Sequence, residues 1–401
     1  VAALIAATVF ILNNTGPAPW FAKVAGAFGG DRALAHVAEL AAMEGRGIGQ
    51  PGAAAAAAYI ESRFRAYGLE PSWQGNSYVY PLAATMVRPS AQPQLTMIGA
   101  DGEMRSFTHQ LDFGYAIEGH GGSGEVKARL AFAGFGPGRG DLDWASFRGL
   151  DLRDRIVLVR EHNAPADFAT EALIRGARGV LWIVQDDASA VHAQLRVDGR
   201  DALRAPSLPI FWIRPEVADA LLDADGLQVD DLTGAADKAE QRGPGWFMRD
   251  LSTMVRMSLE LAPPQQVEIP CVMGYKPGSD FDLAGELVIL FAHYDGLGQE
   301  ADGTVYPSVN DGASGVGLML ELARLWDDEG LDARRSVLFV AWGAGGFEET
   351  GARAFFENAA NLRHLPALTP NRPAAIIELS HVGAGGNALY LAPGSNRELS
   401  E

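Results

Sequence analysis

The hydrophobic pattern of the chain is centred on residues 287–292, six consecutive apolar residues between turn signals. Such a run is typical of a strand that is buried on both faces of a parallel or mixed sheet. Ser336–Trp342 and Ala374–Leu379 repeat the pattern, and Val316–Asp327 shows the apolar spacing of a helix. Strands that alternate with helices in this way predict an α/β architecture.

Two helices and a strand are predicted before this region. The apolar spacing indicates helices over 31–43 and 53–67, and the second is Ala-rich and closed by Gly68. Residues 77–87 predict a strand, and Pro81 places it at an edge of its sheet.

Residues 91–245 have a different character, with short strand signals separated by Gly, Pro and long loops. They predict a smaller β-rich domain inserted into the first one, which we expect to resume at residue 246 with strands near 254–261 and 265–276. Four histidines fall in the insertion, and we expect each at the surface or in a loop: His109, His120, His162 and His192.

Composition narrows the classes of function. The 401 residues are enough for two domains, and the net charge of −18 argues against nucleic acid or an anionic membrane surface as a partner. The single cysteine, Cys271, excludes an internal disulfide and a cysteine zinc cage.

Both ends of the sequence suggest a segment of a longer polypeptide. Residues 1–12 are apolar and uncharged but too short for a bilayer, which needs about 20 residues. We expect residues 1–27 to be the end of a membrane helix and a linker; a signal sequence or a buried helix are the alternatives. The final residues, SNRELSE, have the pattern of a helix start.

Candidate chemistry lies where the first apolar run ends. His293 and Asp295 are two residues apart, so they share one face of a strand, at the end where ligands of open α/β sheets bind. An imidazole with a nearby carboxylate is a common zinc-binding arrangement. A lone histidine beside loop carboxylates, without any ligand, is an equally good interpretation of these residues alone.

Four stretches carry a family resemblance. The sequence HYD at 293–295, followed by NDGASG at 310–315 and an apolar helix, resembles the two-zinc aminopeptidase family, which also contains glutamate carboxypeptidase. VMGYKPGSD at 272–280 and RSVLFVAW at 335–342 are similar to the same family. The transferrin receptor and nicastrin are its inactive relatives.

The resemblance implies a mixed, mostly parallel sheet flanked by helices, formed by residues 28–90 and 246–401 with an incomplete C-terminus. The inserted residues 91–245 resemble a protease-associated domain through three motifs: GLDLRDRIVLVRE, GARGVLWIV and LPIFWI.

The resemblance also assigns roles to site residues. His293 and Asp311 match two metal ligands, of which the carboxylate bridges two ions, and Asp295 matches the group that orients the histidine. The general base and the ligand after it fall on Gly345 and Gly346 in an ungapped alignment. Neither glycine has a side chain that accepts a proton or binds a metal.

A further expected aspartate ligand falls on Ser380, and the last ligand, a histidine, would lie beyond residue 401. Three nearby carboxylates are doubtful substitutes for the missing groups: Glu348, Glu349 and Glu378. Zinc binding is therefore expected to be weakened or absent.

These residues favour an extracytoplasmic pseudo-peptidase, anchored to a membrane through its N-terminus, with a binding, scaffolding or complex-subunit role. Its expected partner is a peptide, a protein or a membrane-protein complex, and not nucleic acid. The alternative is an active zinc-dependent aminopeptidase whose metal ligands have moved.

Overall fold

The computed structural model of the protein describes residues 24–73, 76–99, 102–117, 121–135, 149–160, 168–184, 195–196, 207–240, 246–345 and 373–383. Its helices are α1 (Gly30–Ala41), α2 (Pro51–Ala66), α3 (Phe168–Ile174), α4 (Pro215–Leu222), α5 (Val229–Glu240) and α6 (Ser314–Asp328). The strands up to residue 213 are β1 (Glu70–Pro71), β2 (Val79–Met86), β3 (Gln94–Ile98), β4 (Met104–Phe107), β5 (Phe113–Ala116), β6 (Gly124–Phe135), β7 (Arg155–Arg160), β8 (Gly179–Ile183), β9 (Leu195–Arg196) and β10 (Ile210–Ile213). The remaining strands are β11 (Trp246–Leu259), β12 (Gln265–Lys276), β13 (Leu287–His293), β14 (Gly298–Gln299), β15 (Val305–Tyr306), β16 (Ser336–Trp342) and β17 (Ala375–Glu378).

The described residues fall into two compact units. The first comprises residues up to Ala84, Val267–Gln299, and the chain from Gly303 onward. The second comprises Thr85–Gln266 together with Glu300–Asp302. The domain boundaries expected from the sequence, residues 91 and 245, therefore lie inside the second unit.

The first unit is built on a mixed sheet. Its strand order is β17-β13-β16-β12-β2-β9, with β1 paired to β12. Strand β13 pairs in parallel with both β16 and β17, whereas β16 pairs antiparallel with β12. The predicted mixed α/β fold is confirmed, but among the described strands the parallel part is limited to β13, β16 and β17.

Strand β2 lies between β12 and β9 rather than at a free edge. Pro81 is tolerated there because β9 pairs only with Thr85 and Met86, at the far end of the strand. Pro81 lies outside the part of β2 that pairs with β9, so its missing backbone N–H leaves no carbonyl of β9 without a donor.

Apolar side chains from both sides of the sheet form the core of the first unit. Every residue of β16 is buried, and so are six of the seven residues of β13. Helix α6 packs its Trp326 ring edge-on against Phe339 of β16, with ring centroids 5.8 Å apart. This two-sided burial explains why both strands are uninterrupted apolar runs in the sequence.

A buried charge fixes α1 to α6. Glu321 of α6 is 0% exposed, yet each of its carboxylate oxygens is hydrogen-bonded. The backbone N–H of Gly29 and the guanidinium groups of Arg32 and Arg324 donate to it, at 2.7–3.2 Å. The two arginines hold the pKa of Glu321 below its usual value, although burial acts most strongly and in the opposite direction. The carboxylate is thus satisfied rather than stranded.

The second unit is a separate eight-stranded sheet in the order β4-β3-β11-β6-β7-β8-β10-β5. Strand β11 pairs with β6 from Trp246 to Leu259. We expected the chain to rejoin the first domain at residue 246, and this is wrong for β11. An alternating pattern is compatible with either sheet, and β11 pairs with β6 along its whole length.

His109 of the second unit lies between β4 and β5, one of the two positions expected for it, but it is buried and not at the surface. It is 5% exposed, and its Nδ1 lies 3.1 Å from the carboxylate of Glu300. Its ring stacks on Tyr115 with the centroids 5.7 Å apart. The other three histidines of the region, at positions 120, 162 and 192, lie outside the described residues.

No helix within the described part of the chain is long and apolar enough to cross a membrane. The expected membrane segment, residues 1–12, and the C-terminal SNRELSE lie outside the described residues.

A single arginine joins three segments beneath the carboxyl end of β13. Arg46 is 2% exposed, and its guanidinium donates to the carbonyl oxygens of Tyr294 at 3.1 Å and of Pro307 and Ser308 at 2.7 Å. A further N–H donates to the carbonyl of Leu40 in α1. Its own carbonyl accepts a hydrogen bond of 3.1 Å from the N–H of Gly296. The exit of β13 and the loop before α6 are thereby tied to α1.

We expect Arg46→Met to lower the free energy of unfolding by about 3 kcal/mol or more, because the carbonyls that it binds would be left buried without donors. Arg65→Met is the matched control, since Arg65 is exposed, pairs with Glu61 one turn away and has its guanidinium 5.0 Å from the centroid of the Tyr78 ring. Its loss should cost about 1 kcal/mol or less. Urea unfolding followed by circular dichroism measures both, and equal costs would contradict this role of Arg46.

Candidate metal centre

Three side chains predicted for the site meet at the carboxyl end of β13. His293 is the last residue of the strand, Asp295 follows it, and Asp311 lies on the turn that leads into α6. The Nε2 atom of His293 is 2.9 Å from Oδ1 of Asp311. Its Nδ1 atom is 3.6 Å from Oδ1 of Asp295. The structure therefore brings together the residues that the sequence singled out for one metal ion.

Burial and the neighbouring carboxylates shift the pKa of His293 in opposite directions. Burial lowers the pKa of the imidazole, but the carboxylates of Asp295 and Asp311 raise it by more, to about 10. Within the described residues, His293 Nδ1 and Asp295 Oδ2 are buried without a hydrogen-bond partner. The imidazole is therefore held as a cation between two carboxylates when no metal replaces the proton.

The NDGASG motif places Asp311 through close backbone contacts. Gly312 has a φ of +91°, and a Cβ at this position would overlap the carbonyl oxygen of Asp295. A Cβ at Gly315 would overlap the carbonyl oxygen of Leu379. The two glycines let the start of α6 approach the ends of β13 and β17.

The polar residues of the motif bind the loop after β17. Asn310 accepts a hydrogen bond of 2.9 Å from the N–H of Gly383 through its side-chain oxygen. Ser314 accepts one of 3.1 Å from the N–H of Val382 and donates its own proton to the carbonyl of Asn310 at 2.6 Å. These hydrogen bonds give the motif a structural role that does not require a metal ion.

The position aligned with the general base has no room for a side chain. A Cβ on Gly345 would overlap the Cβ of His293, and the residue before it, Ala344, has a φ of +63°. The N–H of Gly345 instead donates to Oδ1 of Asp295 at 2.9 Å. Gly346 and the candidate substitutes Glu348 and Glu349 lie outside the described residues.

The end of β17 brings a histidine that the sequence analysis assigned no role. His381 Nε2 is 3.7 Å from Asp311 Oδ1, while its Nδ1 is 2.7 Å from the hydroxyl of Ser380. Glu378, the third candidate substitute, is an exposed residue of β17. Adjacency to Ser380 was the only signal for His381, since nothing local links it to Asp311, 70 residues earlier.

A cavity of about 390 Å³ lies beside Asp295 in the first unit. Apolar residues at the start of α2 and β12 form much of its wall, together with Tyr294 and Gly343. The Tyr294 hydroxyl is directed to the carbonyl of Pro270 by a hydrogen bond of 2.5 Å.

Three side chains at this strand end match positions that the family resemblance assigns to a metal site. His293 and Asp311 offer a nitrogen and an oxygen, and Asp295 stands where a carboxylate orients a zinc-bound histidine. The positions at which the resemblance expects further carboxylate ligands are occupied by Gly346 and Ser380. No group of three or more His, Cys, Asp or Glu side chains in the described ranges is placed to hold a metal ion as it stands.

The sequence is similar to one peptidase family and to two curated receptors. Residues 272–400 match the model of peptidase family M28. The chain is 25% identical over 371 residues to transferrin receptor protein 1 of Gallus gallus, covering 84% of this chain and 45% of the relative. It is 24% identical over 348 residues to transferrin receptor protein 2 of Rattus norvegicus, covering 75% and 40%. The chain therefore spans less than half the length of these curated relatives.

Solved structures show the same fold. An aminopeptidase from Aneurinibacillus sp. strain AM-1 superposes with a TM-score of 0.56 at 18% identity, covering 88% of this chain and 71% of that one. A peptidase M28 precursor from Shewanella amazonensis SB2B superposes with a TM-score of 0.53 at 15% identity, covering 85% and 70%.

The sheet order, the His293–Asp311 pair and these matches lead to one assignment. Residues 272–400 match the model of peptidase family M28, and the chain is similar to M28 aminopeptidases in fold and to transferrin receptors in sequence.

Proposed function

We propose that this chain is an M28 pseudo-peptidase, a peptidase fold that binds a peptide or protein partner without hydrolysing it. The observation that carries the proposal is the contact of Gly345 with His293. Because a Cβ on residue 345 would overlap the Cβ of His293, this loop has no place for a glutamate base at the aligned position. A general base typically contributes about 10²–10⁴ in rate.

A missing carboxylate after β17 also supports the pseudo-peptidase proposal. Ser380 stands where the resemblance expects a carboxylate ligand, and its hydroxyl is hydrogen-bonded to the neighbouring His381. The two carboxylate ligands that the resemblance expects at Gly346 and Ser380 are thus both missing, and activation of water by a metal pair needs both ions.

An active aminopeptidase with relocated ligands is the second candidate. Its support is Glu378, the last residue of β17, which lies two residues before Ser380. In this version Glu378, Glu348 or Glu349 would supply the missing carboxylates.

The wider role is also a proposal. The relatives named as receptors support a binding or complex-subunit function, with the domain outside the cytoplasm and anchored through the apolar N-terminal residues. The second unit is proposed to be a protease-associated-like domain, supported by its sheet-rich composition and the three motifs in its sequence.

We expect the purified chain to show no peptide hydrolysis. Aminoacyl substrates with added Zn²⁺ should be turned over at the same background rate by the native chain and by His293→Ala, because neither has a general base or a second ion. Turnover that His293→Ala abolishes would show that another carboxylate has taken over, and the enzyme interpretation would then replace ours. Glu378→Gln would test whether Glu378 is that carboxylate.

We also expect the site to give the stability of metal-free protein a characteristic pH dependence. The pKa of His293 is about 10 in the folded chain, against an unfolded value of 6.5. A raised pKa stabilises the fold fully below about pH 6.5, and this contribution disappears as the pH rises through about 10.

The measurement is the free energy of unfolding against pH, in the presence of a chelator, for the native chain and His293→Gln. The difference between the two curves should shrink steadily from about pH 6.5 to about 10, the range between the unfolded and folded pKa values. Parallel curves over this range would mean that His293 is not held as a cation.

A further inference from the structure

Strand β4 (Met104–Phe107) lies at one end of the eight-stranded sheet of the second unit. Among the described strands it pairs with β3 alone, in the antiparallel direction. Met104 is 74% exposed, and Glu103, Arg105 and Ser106 are exposed as well. This edge of the sheet therefore lies at the surface.

The hydrogen bonds to β3 determine which backbone groups of β4 point outward. The N–H of Gly99 donates to the carbonyl of Glu103 at 2.8 Å, so these two residues form a hydrogen-bonded pair. Such pairs alternate with non-hydrogen-bonded pairs along an antiparallel ladder. The register puts Arg105 into the next hydrogen-bonded pair, opposite Met97, and leaves Met104 between the two. The N–H and C=O of Met104 therefore point away from β3.

The charges along this edge are self-complementary. Glu103 and Arg105 are opposite in sign and lie on either side of Met104. If a second β4 runs antiparallel to the first, with its Met104 opposite the first Met104, each Glu103 faces the Arg105 of the other copy. Opposite charges that face each other across two strands stabilise the pair. Centring the pair on Arg105 would instead bring two arginines together, and like charges in this position are destabilising.

The pleat of the strand favours the same register. Met104 would form a hydrogen-bonded pair with its counterpart, so Glu103 and Arg105 would lie in the non-hydrogen-bonded pairs next to it, where side chains approach most closely. The Arg105 guanidinium is 5.3 Å from the centroid of the Phe107 ring. Because this contact holds Arg105 on one face of β4, its charge is already on the face that Glu103 shares.

The surroundings of β4 reduce the repulsion between two copies. The net charge of the chain is −18, which opposes self-association over most of its surface. On the same sheet, however, β6 exposes Lys127 and Arg129, and neither forms an ion pair within the part of the chain that the structure describes. Arg256 of the intervening strand β11 is also exposed. Acidic charge is therefore not concentrated at this end of the sheet.

We propose that the edge of β4 binds a second copy of this chain, as an antiparallel strand pair around a twofold axis at Met104. An exposed sheet edge is a template for a further strand, and a twofold contact requires the same surface patch on both copies. Each Met104 donates its N–H to the carbonyl of the other, which makes the two eight-stranded sheets continuous. This inference goes beyond the proposed function and depends on neither hydrolysis nor a metal ion.

The contact is small, because β4 has only four residues. Interfaces that bury less than about 1,200 Å² are typically weak and transient. The proposed dimer is therefore reversible, and its population rises with the concentration of the chain.

The test is sedimentation velocity over a range of concentrations at physiological ionic strength, and we expect a monomer–dimer equilibrium for the native chain. Met104→Pro should weaken dimerisation about tenfold or more, because both symmetric hydrogen bonds lose their donor. Met104→Val is the matched control. It keeps the N–H and a side chain that favours strands, so it should dimerise like the native chain.

The fold of Met104→Pro should be unaffected. Proline is tolerated in an edge strand where its missing N–H would face solvent, and the ladder to β3 does not use the N–H of Met104. The unfolding curve of this variant should therefore lie close to that of the native chain at concentrations at which both are monomeric.

A charge exchange tests the register. Arg105→Glu should reduce the dimer fraction, because it brings two carboxylates opposite each other. The double variant Glu103→Arg with Arg105→Glu reverses both charges and should restore the dimer.

Three results would overturn the proposal. The first is a native chain that stays monomeric over the whole concentration range. The second is dimerisation of Met104→Pro as strong as that of the native chain, which would put the contact on another surface. The third is a double variant that dimerises no better than Arg105→Glu, which would contradict the pairing of Glu103 with Arg105.

Discussion

The buried guanidinium of Arg46 is the constraint on which the geometry of the site depends. It donates to carbonyl oxygens in α1, at the exit of β13 and in the loop before α6. A buried arginine with all these acceptors has few alternative positions, because moving any segment would leave a donor or a carbonyl unpaired. Tyr294 is thereby fixed between His293 and Asp295, and the loop that ends at Asp311 is held at a set distance from them.

Backbone packing positions three residues of the candidate site and excludes a side chain at a fourth position. His293, Asp295 and Asp311 are held by backbone contacts that do not require a metal, above all the approach of Gly312 to Asp295. At Gly345 the same close packing fills the space where a side chain would begin. A motif such as NDGASG therefore reports the packing of the strand ends and does not by itself report hydrolysis.

The sequence predicted the elements whose burial is two-sided. Strands β13 and β16 and helix α6 lie within one or two residues of their predicted bounds, because continuous apolar runs leave little choice of structure. The prediction for β11 named the wrong sheet. An alternating apolar and polar pattern shows that one face of a strand is buried, but it does not identify the neighbouring strands. The burial of His109 was missed because its partner, Glu300, lies 191 residues away.

The same limit applies to the site. His293 and Asp295 could be paired from their spacing, and Asp311 from the resemblance. His381 could not, because its approach to Asp311 depends on hydrogen bonds that Asn310 and Ser314 make to the backbone of residues 382 and 383. Such contacts between distant loops leave no periodic pattern in the sequence.

The central proposal is that this M28-like fold keeps one half of the metal-pair site that the resemblance implies and lacks the carboxylates for the other half at positions 346 and 380. Anomalous scattering at the zinc edge, from crystals of the chain grown with excess Zn²⁺, tests it most directly. The account predicts at most one peak, at the carboxyl end of β13 beside His293 and Asp311. Two peaks bridged by Asp311, about 3.5–4 Å apart as in two-metal enzymes, would contradict it.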